Sequence, residues 1–177
     1  MHDTRSRETA CECNLTLRDG TGVVAREIRK EDAAALQRLV QRSSPRSVEF
    51  RFFGPLKQLS EAQARKFADL EGRDGFALVA LDPEAPGEIV GVVRYERERD
   101  ADSAEYAALV EDRFQGRGLG IGLTRSLVDA ARERGIRRLY ALVMGENARM
   151  LRMLKYLGLP EKESWCDGAR CVEVELT

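Results

Sequence analysis

Ala107-Ala108-Leu109-Val110-Glu111-Asp112-Arg113-Phe114-Gln115-Gly116-Arg117-Gly118-Leu119-Gly120-Ile121-Gly122 is the stretch on which the reading of this chain turns. An apolar run ending at Val110 reads as a buried strand, and a glycine-rich loop follows it. A long helix is then predicted over residues 118–134, with Leu119, Leu123, Leu127, Ala130 and Ala131 on one face and Gly135 as its stop. Successive glycines let a backbone approach a ligand without Cβ clashes. The first N–H groups of a helix lack internal partners and lie at the positive end of its dipole, so the pattern predicts an anion site. Seven arginines against three acids between Asp112 and Arg138 give the neighbourhood the matching charge. A Walker loop is excluded, because no Gly-Lys-Ser or Gly-Lys-Thr closes the stretch. Glycines at 116, 118, 120 and 122 also fail the Gly-x-Gly-x-x-Gly spacing, and the stretch follows several strands instead of opening a βαβ unit. Gln-x-x-Gly-x-Gly does fit, from Gln115 through Gly118 to Gly120.

Working outward, residues 15–28 read as a hairpin around Asp19-Gly20. Residues 31–43 carry Leu36, Leu39 and Val40 at helical spacing, and Ser44-Pro45 is read as the end of that helix. Ser60 with Gln63 forms a capping box for a helix to about residue 70. Strands are predicted over 76–81, 88–95, 104–110, 138–144 and 170–176, and a further helix over 147–157. Strands that first pair by turns and then alternate with helices predict an α/β (or α+β) fold, a mixed sheet with helices on both faces.

The chain has 177 residues, 29 Lys and Arg, 30 Asp and Glu, and one histidine. That length leaves roughly 70% of the unfolded surface to bury, enough for one core. The expected organisation is a polar tail over 1–14 and a single domain over 15–177. A net charge of −1 argues against a general nucleic-acid binder. Residues 1–14 lack the apolar run of a signal peptide, and no stretch is long enough for a membrane span, so a cytoplasmic protein without a membrane partner is expected. His2 alone rules out a His-based metal site or a Ser-His triad. Cys11, Cys13, Cys166 and Cys171 do not have zinc-knuckle spacing and are read as reduced thiols. No metal is expected.

The strand, loop and helix over 104–134 resemble the acetyl-CoA-binding motif of the GNAT superfamily of N-acetyltransferases. The likeness continues through Glu146-Asn147-Ala148-Arg149-Met150-Leu151 to Leu157-Gly158-Leu159. Thr16-Leu17-Arg18-Asp19-Gly20-Thr21, Ile28-Arg29-Lys30-Glu31-Asp32, Ser44-Pro45-Arg46-Ser47 and Arg51-Phe52-Phe53-Gly54 are similar to bacterial protein-lysine acetyltransferases of the Pat type, which modify acyl-CoA synthetases. The resemblance implies a splayed central sheet and acetyl-CoA as co-substrate. The acceptor would be a protein lysine, with a small amine as the alternative and a non-catalytic CoA-binding module as a third reading. Some related acetyltransferases carry an attached regulatory domain, for which 1–14 leaves no room.

By the same resemblance, backbone groups of Leu109 and Val110 would pair with the thioester and pantetheine arm through an opening of the kind a β-bulge makes. Gln115, Gly116, Arg117, Gly118, Leu119 and Gly120 would wrap the pyrophosphate, and Asn147 would touch the pantetheine. A lysine amine, with a free pKa of about 10.4, must lose a proton before it attacks. Glu105, ten residues before Gln115, is the candidate base, with Glu96, Glu98 and Asp102 as rivals. Many family members carry a tyrosine seven residues after the helix asparagine. Leu154 stands there, and Tyr156 lies about 200° further round a helix of 3.6 residues per turn. No general acid is assigned, and Tyr156 is read as a packing residue. The region of Arg51, Phe52 and Phe53 would lie over the acceptor site, with both phenylalanines read as core anchors. Met150 and Met153 are read as core, and Trp165 and Cys166 receive no role.

Overall fold

The computed structural model describes residues 12–98 and 101–176. Strands β1 (Glu12–Thr16) and β2 (Gly22–Glu27) form the expected hairpin, and a short 3-10 turn (Lys30–Asp32) leads into α1 (Ala33–Arg42). Helices α2 (Pro45–Phe52) and α3 (Glu61–Ala68) follow, then β3 (Gly75–Leu81), β4 (Ile89–Arg97) and β5 (Ser103–Val110). A 3-10 turn over Asp112–Phe114 precedes α4 (Leu119–Glu133), β6 (Arg138–Val143), α5 (Ala148–Lys155), β7 (Glu161–Cys166) and β8 (Ala169–Glu175). The sheet order is β1-β2-β3-β4-β5-β6-β8-β7, and every pairing is antiparallel except β5 with β6.

Strand alternation divides the core between the two faces. Phe76, Leu78 and Ala80 of β3 pack with α4 and α5, whereas Ala77 and Val79 pack with α1, α2 and α3. Leu119, Leu123 and Leu127 of α4 are each 1% exposed or less, and burying a leucine contributes about 1.5–3 kcal/mol. Among the described residues no helix is long and apolar enough to cross a membrane.

The β5–β6 junction decides where a ligand can enter. These two strands pair only at Ser103–Arg138, Ala104–Leu139 and Glu105–Tyr140, and then diverge. The sheet is therefore mixed and splayed, with helices on both faces, as the sequence predicts. The means differs from the expected bulge. Beside β4, β5 stays in register throughout, and the sheet's register shift lies instead at Ala80/Leu81, between β3 and β4. The opening comes from a parallel pair whose strands part.

Three further differences from the sequence reading are local. The first strand begins at Glu12, inside the segment read as tail. Ser44-Pro45 ends one helix and at once starts another: the Ser44 hydroxyl accepts from Ser47 N–H at 3.2 Å, and proline sits at the first helical position of α2. Strand β7 was missed altogether, although Asp167 and Gly168, both at positive φ, turn it back onto β8. Cys13, Cys166 and Cys171 are free thiols, and Cys11 lies outside the described residues.

Candidate active site

The divergence of β5 from β6 opens a cleft of about 1,280 Å³. Its lining includes Gly116, Gly118 and Gly120 of the loop into α4, Phe50, Arg51 and Phe53 of the α2 region, and Glu105 of β5. Gly116 (φ +72°) and Gly118 (φ +92°) take the left-handed backbone that the turn into α4 requires. The first intrahelical bond of α4 runs from Gly122 N–H to the Gly118 carbonyl, so the N–H groups of Leu119, Gly120 and Ile121 are the free donors of the helix start. This is the geometry expected for a phosphate cradle. Arg18, Arg125, Arg149 and Arg152 also line the cleft, and none is ion-paired to a described residue.

Side chains of two predicted loop residues point away from the cleft. Arg117 is held by Asp19 (Nε–Oδ2 2.9 Å) and Thr21 (3.2 Å), and its carbonyl accepts from Arg18 N–H, while Leu119 is in the core. Only their backbone remains for a ligand. Gln115 acts as a strut: its amide nitrogen donates to the Val110 carbonyl (2.8 Å) and the Ser47 hydroxyl (3.0 Å), and its oxygen accepts from Arg149. Asn147 caps α5 through Met150 N–H at 3.1 Å and still lines the cleft.

One of the two backbone assignments needs correction. Glu111 N–H bonds to the Val90 carbonyl at 2.9 Å, and hydrogen-bonded pairs alternate along an antiparallel ladder. Leu109, two residues back, therefore spends its backbone groups on Val92 of β4. Ala108 and Val110 are the residues whose N–H and C=O turn away from β4, the Val110 carbonyl being taken by Gln115, a parity that the sequence does not carry.

The loop after β5 is fastened on both sides. Glu111, 5% exposed, takes Arg42 at 3.1 Å and also Arg113, which reaches Asp82. Asp112 accepts from the Ser44 N–H (2.7 Å), the Ser44 hydroxyl (2.7 Å) and the Ser47 hydroxyl (2.8 Å). Burial pushes the Asp112 carboxyl up, but these three donors outweigh it and hold the group below the usual carboxylate range. Sequence reading missed this tie between α2 and the glycine loop, which joins groups 65 and 68 residues apart.

Glu105 stands at the last β5–β6 pair, on the strand face toward α2, and makes no hydrogen bond or ion pair with a described residue. Its rivals are committed elsewhere: Glu98 to the Tyr140 hydroxyl (2.9 Å), Asp102 to Arg138 (2.8 Å), and Glu96 to Arg73 and Arg94 (both 3.8 Å). None of the three lines the cleft. Tyr106, on the cleft wall, is tied by its hydroxyl to Thr124 at 2.7 Å, and burial pushes its phenol up.

Three packing assignments also change. Leu154 is buried as helix geometry predicts, but Tyr156 is 66% exposed on the cleft rim. Phe52 packs against Phe67 (6.2 Å between ring centroids), whereas Phe53 is 47% exposed at φ +59° and lines the cleft. Met150 and Met153 pack against the core and border the cleft as well.

The sequence profile of an acetyltransferase (GNAT) domain matches residues 23–160. An acetyltransferase of Pseudomonas aeruginosa is 34% identical over 145 residues, 81% of this chain and 77% of the relative. The crystal structure of the GNAT domain of PAT from S. lividans superposes with a TM-score of 0.85 at 34% identity, covering 93% of this chain and 96% of that one. An L-methionine sulfoximine/L-methionine sulfone acetyltransferase of Pseudomonas paraeruginosa is 27% identical over 101 residues, 55% of this chain and 58% of the relative.

Proposed function

The chain belongs to the GNAT acetyltransferase family, and from that premise we propose that it moves the acetyl group of acetyl-CoA directly to the amine of a protein lysine, of the kind found on acyl-CoA synthetases. Members of this family are acetyltransferases that use acetyl-CoA. The described residues suit that co-substrate: free helix-start N–H groups and unpaired arginines for its phosphates, and an open β5 edge at Ala108 and Val110 for its amide-bearing arm. Residues 15–177 act as one catalytic domain in this reading. A cytoplasmic location goes with that co-substrate in this reading.

The observation that carries the reading is the free carboxylate of Glu105 where β5 and β6 part, in the cleft that the glycine loop and the α2 region also line. Glu105 accepts a proton from the acceptor ammonium, directly or through water. The amine nitrogen then bonds to the acetyl carbon, and the carbon–sulfur bond breaks with its electron pair staying on sulfur. The nitrogen gives its surplus proton to that thiolate, directly or through water, leaving the amide and the CoA thiol. Proton transfer by a placed side chain is worth about 10²- to 10⁴-fold. Alignment of amine and thioester in the cleft supplies much of the remainder.

The test is acetyl transfer to a purified acyl-CoA synthetase, read by mass spectrometry. A single lysine should gain one acetyl group, and Glu105→Gln should lower turnover by about 10²- to 10⁴-fold with acetyl-CoA binding unchanged. Wild-type turnover in that variant removes Glu105 as the base. Bound acetyl-CoA without protein transfer, but with acetylation of a small amine, moves the acceptor to the second reading. That reading is favoured by the likeness to the methionine sulfoximine/sulfone acetyltransferase. Binding with no thiol release to any acceptor leaves a CoA-binding regulatory module.

A further inference from the structure

Arg51 is a cation that feels the charge of Glu105 yet is bonded to no described carboxylate. It projects from α2 into the cleft beside Glu105, and no described carboxylate lies within ion-pair distance of it. Two aromatic faces hold it instead: its guanidinium carbon is 4.8 Å from the centroid of Phe52 and 5.8 Å from that of Phe67. A second guanidinium, from Arg94 of β4, packs over Phe67 at 5.1 Å. Arg94 is 7% exposed, donates to the Phe67 carbonyl at 3.1 Å, and leaves its Nη2 buried without a hydrogen bond. Desolvation and Arg94 together hold Arg51 down to about 10, with only the charge of Glu105 opposing them. Arg46, stacked over Phe50 at 5.1 Å, is a further cation in the cleft lining.

An arginine desolvated beside a second guanidinium is ordinarily matched by a carboxylate, whose planar geometry fits its fork of donors. Here Arg51 lines the same cleft as Glu105, with no described carboxylate to take its donors. The imbalance grows during the reaction, because Glu105 loses its negative charge when it accepts the proton and Arg51 keeps its own. We propose that Arg51 is a specificity-determining residue that receives a carboxylate carried by the acceptor close to the amine being acetylated. Two sources present that chemistry: an acidic side chain next to the target lysine in a protein, and the α-carboxylate of a free amino acid. The proposal rests on the transferase reading above for the direction in which Arg51 points, and adds the acceptor's charge to it.

The experiment uses the full chain with saturating acetyl-CoA and matched acceptors. Capped Glu-Lys-Glu and Gln-Lys-Gln peptides form one pair, leucine and leucinamide the other, and spermidine serves as an amine with no carboxylate. Thiol release gives kcat/KM. Calorimetry with the CoA-loaded protein gives binding of the same compounds, so a failure of transfer does not hide the answer. The carboxylate member of one pair should be preferred by about tenfold or more, a gap expected from one charge-assisted contact. Arg51→Gln should bring that ratio close to one without altering acetyl-CoA affinity, and Arg51→Lys should keep part of it. The pair that shows the preference identifies the source. Equal use of both members by the wild type, or a preference that survives Arg51→Gln, overturns the proposal. An Arg51-dependent preference in binding with no acetyl moved supports the carboxylate site and defeats the transferase reading instead.

Discussion

At the scale of single residues, the site depends on which side chains are left uncommitted. Glu96, Glu98 and Asp102 stand as rivals to Glu105 in the sequence, because all four fall on or beside the same strand pair; the ion pairs and the Tyr140 contact take the three rivals out. Tyr156 shows the same limit from the other side. Helix geometry correctly turns it away from Leu154, but the direction away from the core is here the direction of the cleft. Exposure on the rim does not make it a proton donor. A free thiol has a pKa of about 8.5, so the departing thiolate needs little help near neutral pH. Tyr156→Phe is therefore expected to leave kcat within about twofold in a thiol-release assay. A fall of about 10²-fold, with acetyl-CoA affinity unchanged, would instead give the tyrosine the role of general acid.

At the scale of elements, the strand, glycine loop and helix of the opening stretch are stiff where they hold the site. Gly118 has ordinary room for a Cβ, 3.5 Å from Arg18 Cγ, so the cost of Gly118→Ala comes from the backbone at φ +92°. Forcing an alanine there costs about 1–2 kcal/mol. The expected result is a matching loss in urea unfolding together with weakened acetyl-CoA binding, since relaxing φ turns the Leu119 and Gly120 N–H groups away. Unchanged affinity in a destabilised variant would separate the turn from the phosphate site. The elements carrying local signals were legible in the sequence: the hairpin at Asp19-Gly20, the capping box of Ser60 and Gln63, and the leucine stripe of α4. Misses came where one signal has two meanings. Ser44-Pro45 stops a helix and starts the next, and Asp167-Gly168 turns a strand whose six residues are all exposed and so leave no apolar pattern. The parity that exchanges Ala108 for Leu109 is set by β4, a partner the local sequence does not name.

At the scale of the whole molecule, the fold spends many of its carboxylates on arginines that tie one element to the next, and this gives stability a defined acid limit. Asp32 joins the end of β2 to the start of α1: Arg26 donates to both of its oxygens at 2.8 Å, and Arg29 N–H donates at 2.7 Å. Burial pushes the Asp32 carboxyl up, but the Arg26 fork and the Arg29 N–H outweigh it and leave the group below its ordinary 3.8. Asp82, held by Arg113, and Asp112, held by Ser44 and Ser47, shift the same way against burial. For a carboxyl lowered by folding, the unfolded chain takes up protons first as pH falls. The stabilisation is therefore complete above the ordinary carboxylate range and is lost as pH drops through about 4 toward the lower folded values. The melting temperature should be flat from about pH 7 to pH 5 and then fall. Asp32→Asn should cost about 2 kcal/mol at pH 7, the scale of hydrogen bonds to a charged group, and its melting curves should depend less steeply on pH between about 5 and 3. Equal slopes for wild type and variant below pH 5 would show that Asp32 is not among the groups that set the acid limit. The loss would then rest on Asp82 and Asp112, at the loop that positions the cleft.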